Sequence, residues 1–560
     1  MTTSYSNISH LFLLTSLLVC GASASVDSKN WWPEQKAPES YCTVDLPPTF
    51  EQQVVAQAVA GHLARLVNEG RGTELVWFRQ HGAIAEDLRN RTVARLSLRD
   101  NGVKKVDDLF QALIAQKQIK GYVLYTQDVS TNRTPYEYGA EIDQSLNTAC
   151  MASALLNGVP ITPAGEPEMK RRGLTCLFDA RTVSPGDYFE KHRKAFDRHG
   201  ALAMLDPKAM HNRDMVIAHC LPVTCGTNAS TTCILEGVQP PAVVIGWGIG
   251  DEFGHCRMVS RYGHFHTASN WLLNIPFYSA GSSTYSAKKI PSFDPKAIDY
   301  SDKRRCISFL MSDGDNTGFI QAGLATPRYW GNPSHGLFPM GFSACMADLS
   351  GFSPVNIDFL AETKPKETSL VQFSGGYFYP DHFGAARTNR TALLRKHLRN
   401  VGAEMERSGV RILTAIFEKS ETQDSLNALK IIAEEIPSLL GILVMDYAPY
   451  HRGKGRTLWI ENGRGDRIPA VAARYCLWQK MRPPLAGEPH TLPAIINSDD
   501  DAGIGGWASV HAWSSFEMPD GKKLHGMDAV LATVQGIDTN TVHVVSPEEF
   551  LYRLRHAEEK

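Results

Sequence analysis

The chain has 560 residues, 43 % apolar and 21 % charged, and its 57 basic side chains nearly cancel 59 acidic ones to leave a formal charge of −2. That balance carries no electrostatic footprint for a nucleic acid and makes a polyanionic substrate unexpected. The length exceeds what a single core fills and implies about two to four folding units.

At the amino end an apolar run from Leu11 to Cys20 precedes Ala22-Ser23-Ala24, the small-residue pattern of a signal-peptidase site. Residues 1–24 are therefore read as a signal peptide and the protein as secreted, with a buried helix as the other reading because the segment before Leu11 lacks Lys and Arg. No later run is long and apolar enough to span a bilayer, so no stable membrane insertion is expected. Ten cysteines follow Cys20, an even number suited to disulfides in an oxidising compartment. Cys220, Cys225, Cys233 and Cys256 crowd one region, but their irregular spacing and the lack of a CxxC pair assign no metal. Sequons at Asn90, Asn132, Asn228 and Asn389 agree with a glycosylated secretory protein.

The N-terminal half alternates helix and strand patterns and is divided into modules 25–105, 106–205 and 206–285, an α/β arrangement. VDDLFQALIAQ reads as a helix, GYVLYTQ as a strand, SLNTACMASALLNG as a helix and TCLFDA as a strand. Ser184-Pro185 opens a further helix with Ser as cap and Pro in the first turn, and VIAHC and PAVVIGWG read as buried strands. From Ser279 to Lys303 the chain is rich in Ser, Lys and Pro without an apolar period, and residues 286–303 are taken as the linker.

Residues 304–560 carry short continuous apolar runs of the kind expected for parallel strands buried on both faces: CISFLM, LFPMGFSA, SLVQFSG, VRILTAIF, LLGILVMD, LPAIIN, SVHAW and VHVVS. Amphipathic helices such as ALLRKHLRNVGAEMERSG and TQDSLNALKIIAEEI lie between several of them. About eight strand–helix steps in about 260 residues predict a C-terminal (β/α) barrel-like catalytic domain, with a doubly wound open sheet as the alternative.

Reactive groups of parallel α/β folds gather at the carboxyl ends of strands, so the residues that follow each run are the candidates. CISFLM ends in Ser312-Asp313-Gly314-Asp315-Asn316, VRILTAIF in Glu418, LLGILVM in Asp446-Tyr447, and SVHAW contains His511 and Trp513. Asp313 and Asp315 would face one side if the strand stayed extended through Gly314; a plain turn is the other reading. Paired carboxylates are what glycosidic cleavage requires, so Asp313, Asp315, Glu418 and Asp446 are the catalytic candidates. LPAIIN ends in the acidic run Asp499 to Asp501, read as a solvated loop. In FSGGYFYP the strand SLVQF meets Gly375 and Gly376, which allow a turn, and Pro380 fixes the exit, leaving Tyr377 and Tyr379 on one face at the rim.

Ser374-Gly375-Gly376-Tyr377-Phe378-Tyr379-Pro380 resembles the signature of the GxGYxYP family of glycoside hydrolases, with Ser374 where the pattern has its first Gly. CISFLMSDGDN, FPMGF with ADL soon after it, and VHVVSPEEFLYRL are similar to that family's C-terminal domain, and GWGIGDE, Ser260-Arg261-Tyr262-Gly263 and Asn274 resemble its N-terminal companions. The resemblance carries over Gly375, Gly376, Tyr377, Tyr379, Pro380, Asp313, Asp315 and Asn316 and implies a hydrolase acting on a poly- or oligosaccharide. With Tyr447, His511 and Trp513 from the strand ends, Asn316, Gly376, Tyr377 and Tyr379 are the expected sugar contacts, and no cofactor or metal is assigned. Two alternatives use the same residues: a metal-dependent carbohydrate esterase with Asp313, Asp315 and His511 holding a divalent ion, and a glycan-binding protein without catalysis. The oligomeric state is left open.

Overall fold

The computed structural model describes residues 32–128, 142–196 and 199–560. The expected signal peptide 1–24 and the sequon at Asn132 lie outside the described residues.

The N-terminal half forms three small parallel sheets. The first sets β1 (Ser40–Val44) between β2 (Glu74–Phe78) and β3 (Arg99–Val103). In the second, β4 (Gly121–Leu124) lies between β5 (Gly158–Ile161) and β6 (Thr175–Asp179). The third holds β7 (His199–Leu205), β8 (Val223–Thr224), β9 (Gln239–Trp247) and β10 (Phe265–Thr267) in the order β10-β9-β7-β8. Since β7 belongs to this third sheet, the module boundary expected at residue 205 falls at the end of a strand rather than in a connection. The capping signal at Ser184 is met: its side chain accepts the Asp187 N–H at the head of helix Pro185–His192.

The C-terminal half is built on one curled sheet. β11 (Arg305–Met311), β12 (Met340–Ala344), β13 (Thr368–Phe373), β14 (Ile412–Phe417) and β15 (Gly441–Asp446) run side by side in parallel. They are almost wholly buried, which is why they read as unbroken apolar runs rather than alternating ones. Beyond β15 follow β17 (Arg467–Ala472) and the antiparallel β16 (Thr457–Glu461); beyond β11 follow β20 (Gly505–Val510), β18 (Tyr475–Leu477) and β19 (Ala486–Gly487). A small hairpin of β21 (Ser515–Glu517) and β22 (Lys523–His525) lies apart, and β23 (Val542–Val544) pairs with the start of β11.

The segment 467–477 brings the two ends of this sheet together. Its first part pairs with β15 as β17, Ala473 N–H still donates to Val444 O at 2.9 Å, then Arg474 N–H donates to Trp507 O at 3.0 Å and the chain continues beside β20 as β18. The Trp507 indole N–H reinforces the crossing by donating to Val471 O at 3.0 Å. The result is a mixed α/β fold with a curled, half-barrel sheet in place of a regular strand–helix repeat.

Two predicted strands are helices. VIAHC lies in and just after Arg213–His219, and LPAIIN forms Leu492–Asn497 with a proline in its first turn. Apolar runs this short have no period that separates a buried strand from a buried helix, and Pro493 favours the helix start. The linker is packed rather than free: Asp358 accepts the Tyr285 hydroxyl at 2.6 Å and the Lys288 N–H at 2.7 Å, and Ile290 N–H donates to Ser408 O. The expected disulfides are not formed, because all ten described cysteines are free thiols. Most of them sit inside separate cores as small apolar side chains, Cys150 in the N-terminal half and Cys306 and Cys476 in the curled sheet.

The two halves meet backbone to backbone where β10 approaches the segment after β13. His266 N–H donates to Tyr377 O at 2.9 Å and Tyr377 N–H donates to His266 O at 2.8 Å. Gly376 makes this approach possible: its φ is +83°, and a Cβ there would stand 2.5 Å from Phe265 Cδ2 and 2.8 Å from His266 O. Gly376→Ala should therefore destabilise the protein by about 2 kcal/mol or more in urea unfolding. An unchanged midpoint would remove Gly376 from the joint.

Candidate active site

A cavity of about 730 Å³ opens between the two halves. It is lined by residues at the carboxyl ends of β7, β9 and β10 on one wall and of β11, β13, β14, β15 and β20 on the other, so both sheets present their ligand-binding ends to the same space.

Asp313, Asp315 and Asn316 come from the turn after β11. The chain does not stay extended there: Asp313 adopts φ +72°, and Asn316 N–H closes the turn on Asp313 O at 3.1 Å. Gly314 passes so near β12 that a Cβ would lie 2.4 Å from the Ser343 carbonyl carbon, and its N–H donates to Ser343 Oγ at 3.0 Å. Both aspartates line the cavity although the extended geometry expected for them is absent. The Trp513 indole N–H, from the loop after β20, donates to Asp313 Oδ2. Trp513 stands 42 % and Trp271 46 % exposed, with ring centroids 6.0 Å apart, and together they make an aromatic rim.

The opposite wall brings a carboxyl group from the N-terminal half. β9 ends at Trp247, and the chain turns into helix Glu252–Arg261, capped by Asp251, which accepts the Gly254 N–H at 2.5 Å. Glu252 lines the cavity and its Oε1 accepts the Tyr377 hydroxyl, which lies 3.3 Å from the Tyr379 hydroxyl. Trp247 stacks on the Tyr377 ring at 6.0 Å between centroids and closes the wall.

No Lys or Arg occurs among the described residues that line the cavity. Burial pushes Asp313 up to about 7, opposed by the Trp513 hydrogen bond and aided by the negative Glu252. Asp315 is pushed well above the usual carboxylate range by burial and then by Asp313 and Glu252, and Glu252 is raised by burial against the pull of the Tyr377 hydroxyl. His511 stacks flat on Trp478 at 4.2 Å, and burial depresses it to about 4. Beneath the turn, fully buried Asp348 accepts the Thr267 hydroxyl at 2.6 Å. Among the described residues no group of three or more His, Cys, Asp or Glu side chains is arranged to hold a metal ion.

Asn316, Tyr377, His511 and Trp513 thus meet Asp313 and Asp315 in the cavity. Tyr379 is buried behind Tyr377, Gly376 belongs to the joint, and Tyr447 stacks on Phe253 at 5.1 Å away from the lining. Glu418 and Asp446 are not among the residues lining the cavity. β14 and β15 present Ile416 and Met445 to it, while Glu418 pairs with His382 at 2.7 Å and Asp446 accepts the Ser420 N–H at 2.6 Å and hydroxyl at 3.1 Å. Sequence reasoning gave no site role to Glu252, Trp247 or Trp271. The signal for Glu252 was in GWGIGDE, which follows a buried strand as SDGDN does.

Residues 303–555 match the family model described as "GxGYxYP putative glycoside hydrolase C-terminal domain", and residues 119–198 match "GxGYxYP_N second domain". A crystal structure described as a putative hydrolase from Bacteroides thetaiotaomicron superposes with a TM-score of 0.76 at 20 % identity, covering 95 % of this chain and 98 % of that one, which establishes a shared fold. Among curated proteins none matches the chain.

The buried Asp348 makes stability depend on pH. Burial moves its carboxyl from 3.8 to about 7, so folding favours the protonated form. The stability it contributes is present below about pH 4 and is lost as pH rises toward about 7. Asp348→Asn cannot ionise and should gain on the wild type by about 1–3 kcal/mol between about pH 5 and about pH 8 in urea unfolding. A difference independent of pH would show that Asp348 does not titrate in this range.

Proposed function

This chain belongs to the GxGYxYP family, and from that premise we propose that it is a glycoside hydrolase that cleaves an oligo- or polysaccharide with the carboxyl groups of the shared cavity. The observation that carries this reading is the convergence of Asp313, Asp315 and Glu252 in one aromatic-walled space without a lining Lys or Arg. Glycosidic cleavage needs one carboxylate ionised, to attack the anomeric carbon or activate water, and one carboxyl protonated, to release the leaving oxygen. Asp313 is the ionised member, because hydrogen bonds from Trp513, Asn316 and Ser312 oppose the effect of its burial. The more strongly shifted Asp315 shares its turn and lowers the total charge by keeping a proton. The exposed faces of Trp271 and Trp513 offer platforms for the apolar faces of sugar rings. Secretion is supported by the apolar amino-terminal run and by sequon residues Asn90, Asn228 and Asn389, all exposed.

Asp313→Asn should lower kcat on a responsive oligosaccharide by about a hundred-fold or more while leaving Kd within about ten-fold, measured by product chromatography and calorimetry. Undiminished hydrolysis would remove Asp313 from the mechanism, and glycan binding without turnover in the wild type would favour a purely binding protein. Trp513→Phe keeps an aromatic ring but deletes the N–H that holds Asp313 down. Asp313 should then ionise at higher pH, and the acidic limb of kcat/KM should move to higher pH. An unmoved limb would show that Asp313 is not the group titrating there.

A further inference from the structure

We propose that Glu252, delivered by the N-terminal half, is the proton donor of the reaction, so that neither half of the chain holds a complete active site. This rests on the glycoside-hydrolase reading above and assigns the role it left open.

The first support is position. Asp313 and Asp315 share a single turn after β11 and reach the cavity from the curled-sheet wall, whereas Glu252 reaches it from the helix after β9. Two carboxyls two residues apart on one turn approach a sugar ring from one side, and the donor to a departing oxygen must stand elsewhere around the scissile bond. On the N-terminal wall the lining carboxyl groups are Asp206 and Glu252; Asp206 is turned to its own loop, accepting the Lys208 N–H at 2.9 Å, whereas Glu252 is held from across the joint by the Tyr377 hydroxyl.

The second support is its hydrogen bonding. Asp251, not Glu252, caps the helix, so Glu252 is not committed to the backbone. The Tyr377 hydroxyl occupies Oε1 and fixes the rotamer, which leaves Oε2 to carry a proton toward the cavity. Tyr377 is in turn held by Trp247 and by the His266 bridge.

The third is electrostatic. Glu252 is surrounded by Tyr377 and Tyr379 from the segment after β13, Tyr450 from the loop after β15, Asp313 and Asp315 across the cavity, and Asp251 beside it. None of these is a cation that would hold Glu252 ionised. Burial, the largest influence on this carboxyl, and the neighbouring negative charges keep it protonated at higher pH than an ordinary glutamate.

In the step itself the Oε2 proton passes to the glycosidic oxygen as the C1–O bond breaks and its electron pair stays on that oxygen. Asp313 supplies an electron pair to C1, directly or through a water from which it takes a proton. On the direct route a water then bonds to C1 as the C1–Oδ bond to Asp313 breaks, and the proton it loses goes to Glu252. On the water route the proton taken by Asp313 is returned through solvent to Glu252, so either sum is one glycoside and one water giving two hydroxyl products.

The test uses the full-length protein and glycosides of one sugar with graded leaving groups, from dinitrophenol through nitrophenol to a second sugar. Glu252→Gln should slow disaccharide cleavage by about a thousand-fold but dinitrophenyl glycoside cleavage by less than about ten-fold, and should abolish the alkaline limb of the kcat/KM profile. Tyr377→Phe, which keeps the ring and loses the hydroxyl that draws the Glu252 carboxyl down, should move that limb to higher pH. An equal loss on every leaving group, or an intact alkaline limb in Glu252→Gln, overturns the assignment and leaves the glycoside-hydrolase reading standing. Failure of the wild type to cleave any glycoside of a broad panel overturns that reading, and this inference with it.

Discussion

The arrangement depends on one reciprocal pair of backbone hydrogen bonds, between His266 at the end of β10 and Tyr377 after β13. A single bridge of this kind fixes both distance and register, and the side chains beside it follow. Tyr379 N–H is received by Ser260 Oγ at 2.9 Å, and Gly384 N–H by Ser260 O at 2.8 Å, so the helix after β9 is tied to the same segment. That helix begins with Glu252, whose carboxyl meets the Tyr377 hydroxyl. The glycine, the tyrosines and the proline of FSGGYFYP therefore form a splice between two sheets, and the rim of the cavity is made by other residues.

Behind this splice the protein keeps polar groups without counter-ions. His255 and His266 stack at 4.4 Å under Trp247, fully buried and held neutral by burial. Asp348 lies in the same layer. Burying such groups opposes folding by several kcal/mol unless they shed their charge, and each one here is shifted toward its neutral form. A floor of neutral groups cannot screen the carboxyls above it, so Asp313, Asp315 and Glu252 influence one another more strongly than they would in water. Acid–base chemistry at neutral pH is then available from side chains that ordinarily ionise near pH 4.

Much of this was legible in the sequence, for identifiable reasons. β11 to β15 are buried on both faces, so each one is written as an unbroken apolar run, and the residues after such runs led to Asp313, Asp315, His511 and Trp513. The same rule led to Glu418 and Asp446, whose charges are taken up by His382 and Ser420, partners fixed only by tertiary packing. LPAIIN and VIAHC were too short to show a period, and the switch of segment 467–477 from β15 to β20 depends on partners distant in sequence. Glu252 escapes a strand-end reading confined to the barrel half, although PAVVIGWGIGDE has the same form as CISFLMSDGDN.

The division of the carboxyls between two walls also bears on why the halves are fastened so closely. Apart from one another, each wall would leave its carboxyls in water, where an aspartate or glutamate ionises in the ordinary range. Docking removes that water and sets four acidic groups, Asp206, Glu252, Asp313 and Asp315, around one space, which by itself opposes association. The opposing cost is offset by the aromatic side chains that the same docking brings together: Tyr377 against Trp247, and Phe253 against Tyr379 and Tyr447. Each ring of this size removes on the order of 150–250 Å² from water, enough for a few kcal/mol apiece. Aromatic packing at the joint thus drives the carboxyls into a state that neither sheet alone would impose, and the protonation pattern of the site is a property of the contact between the halves.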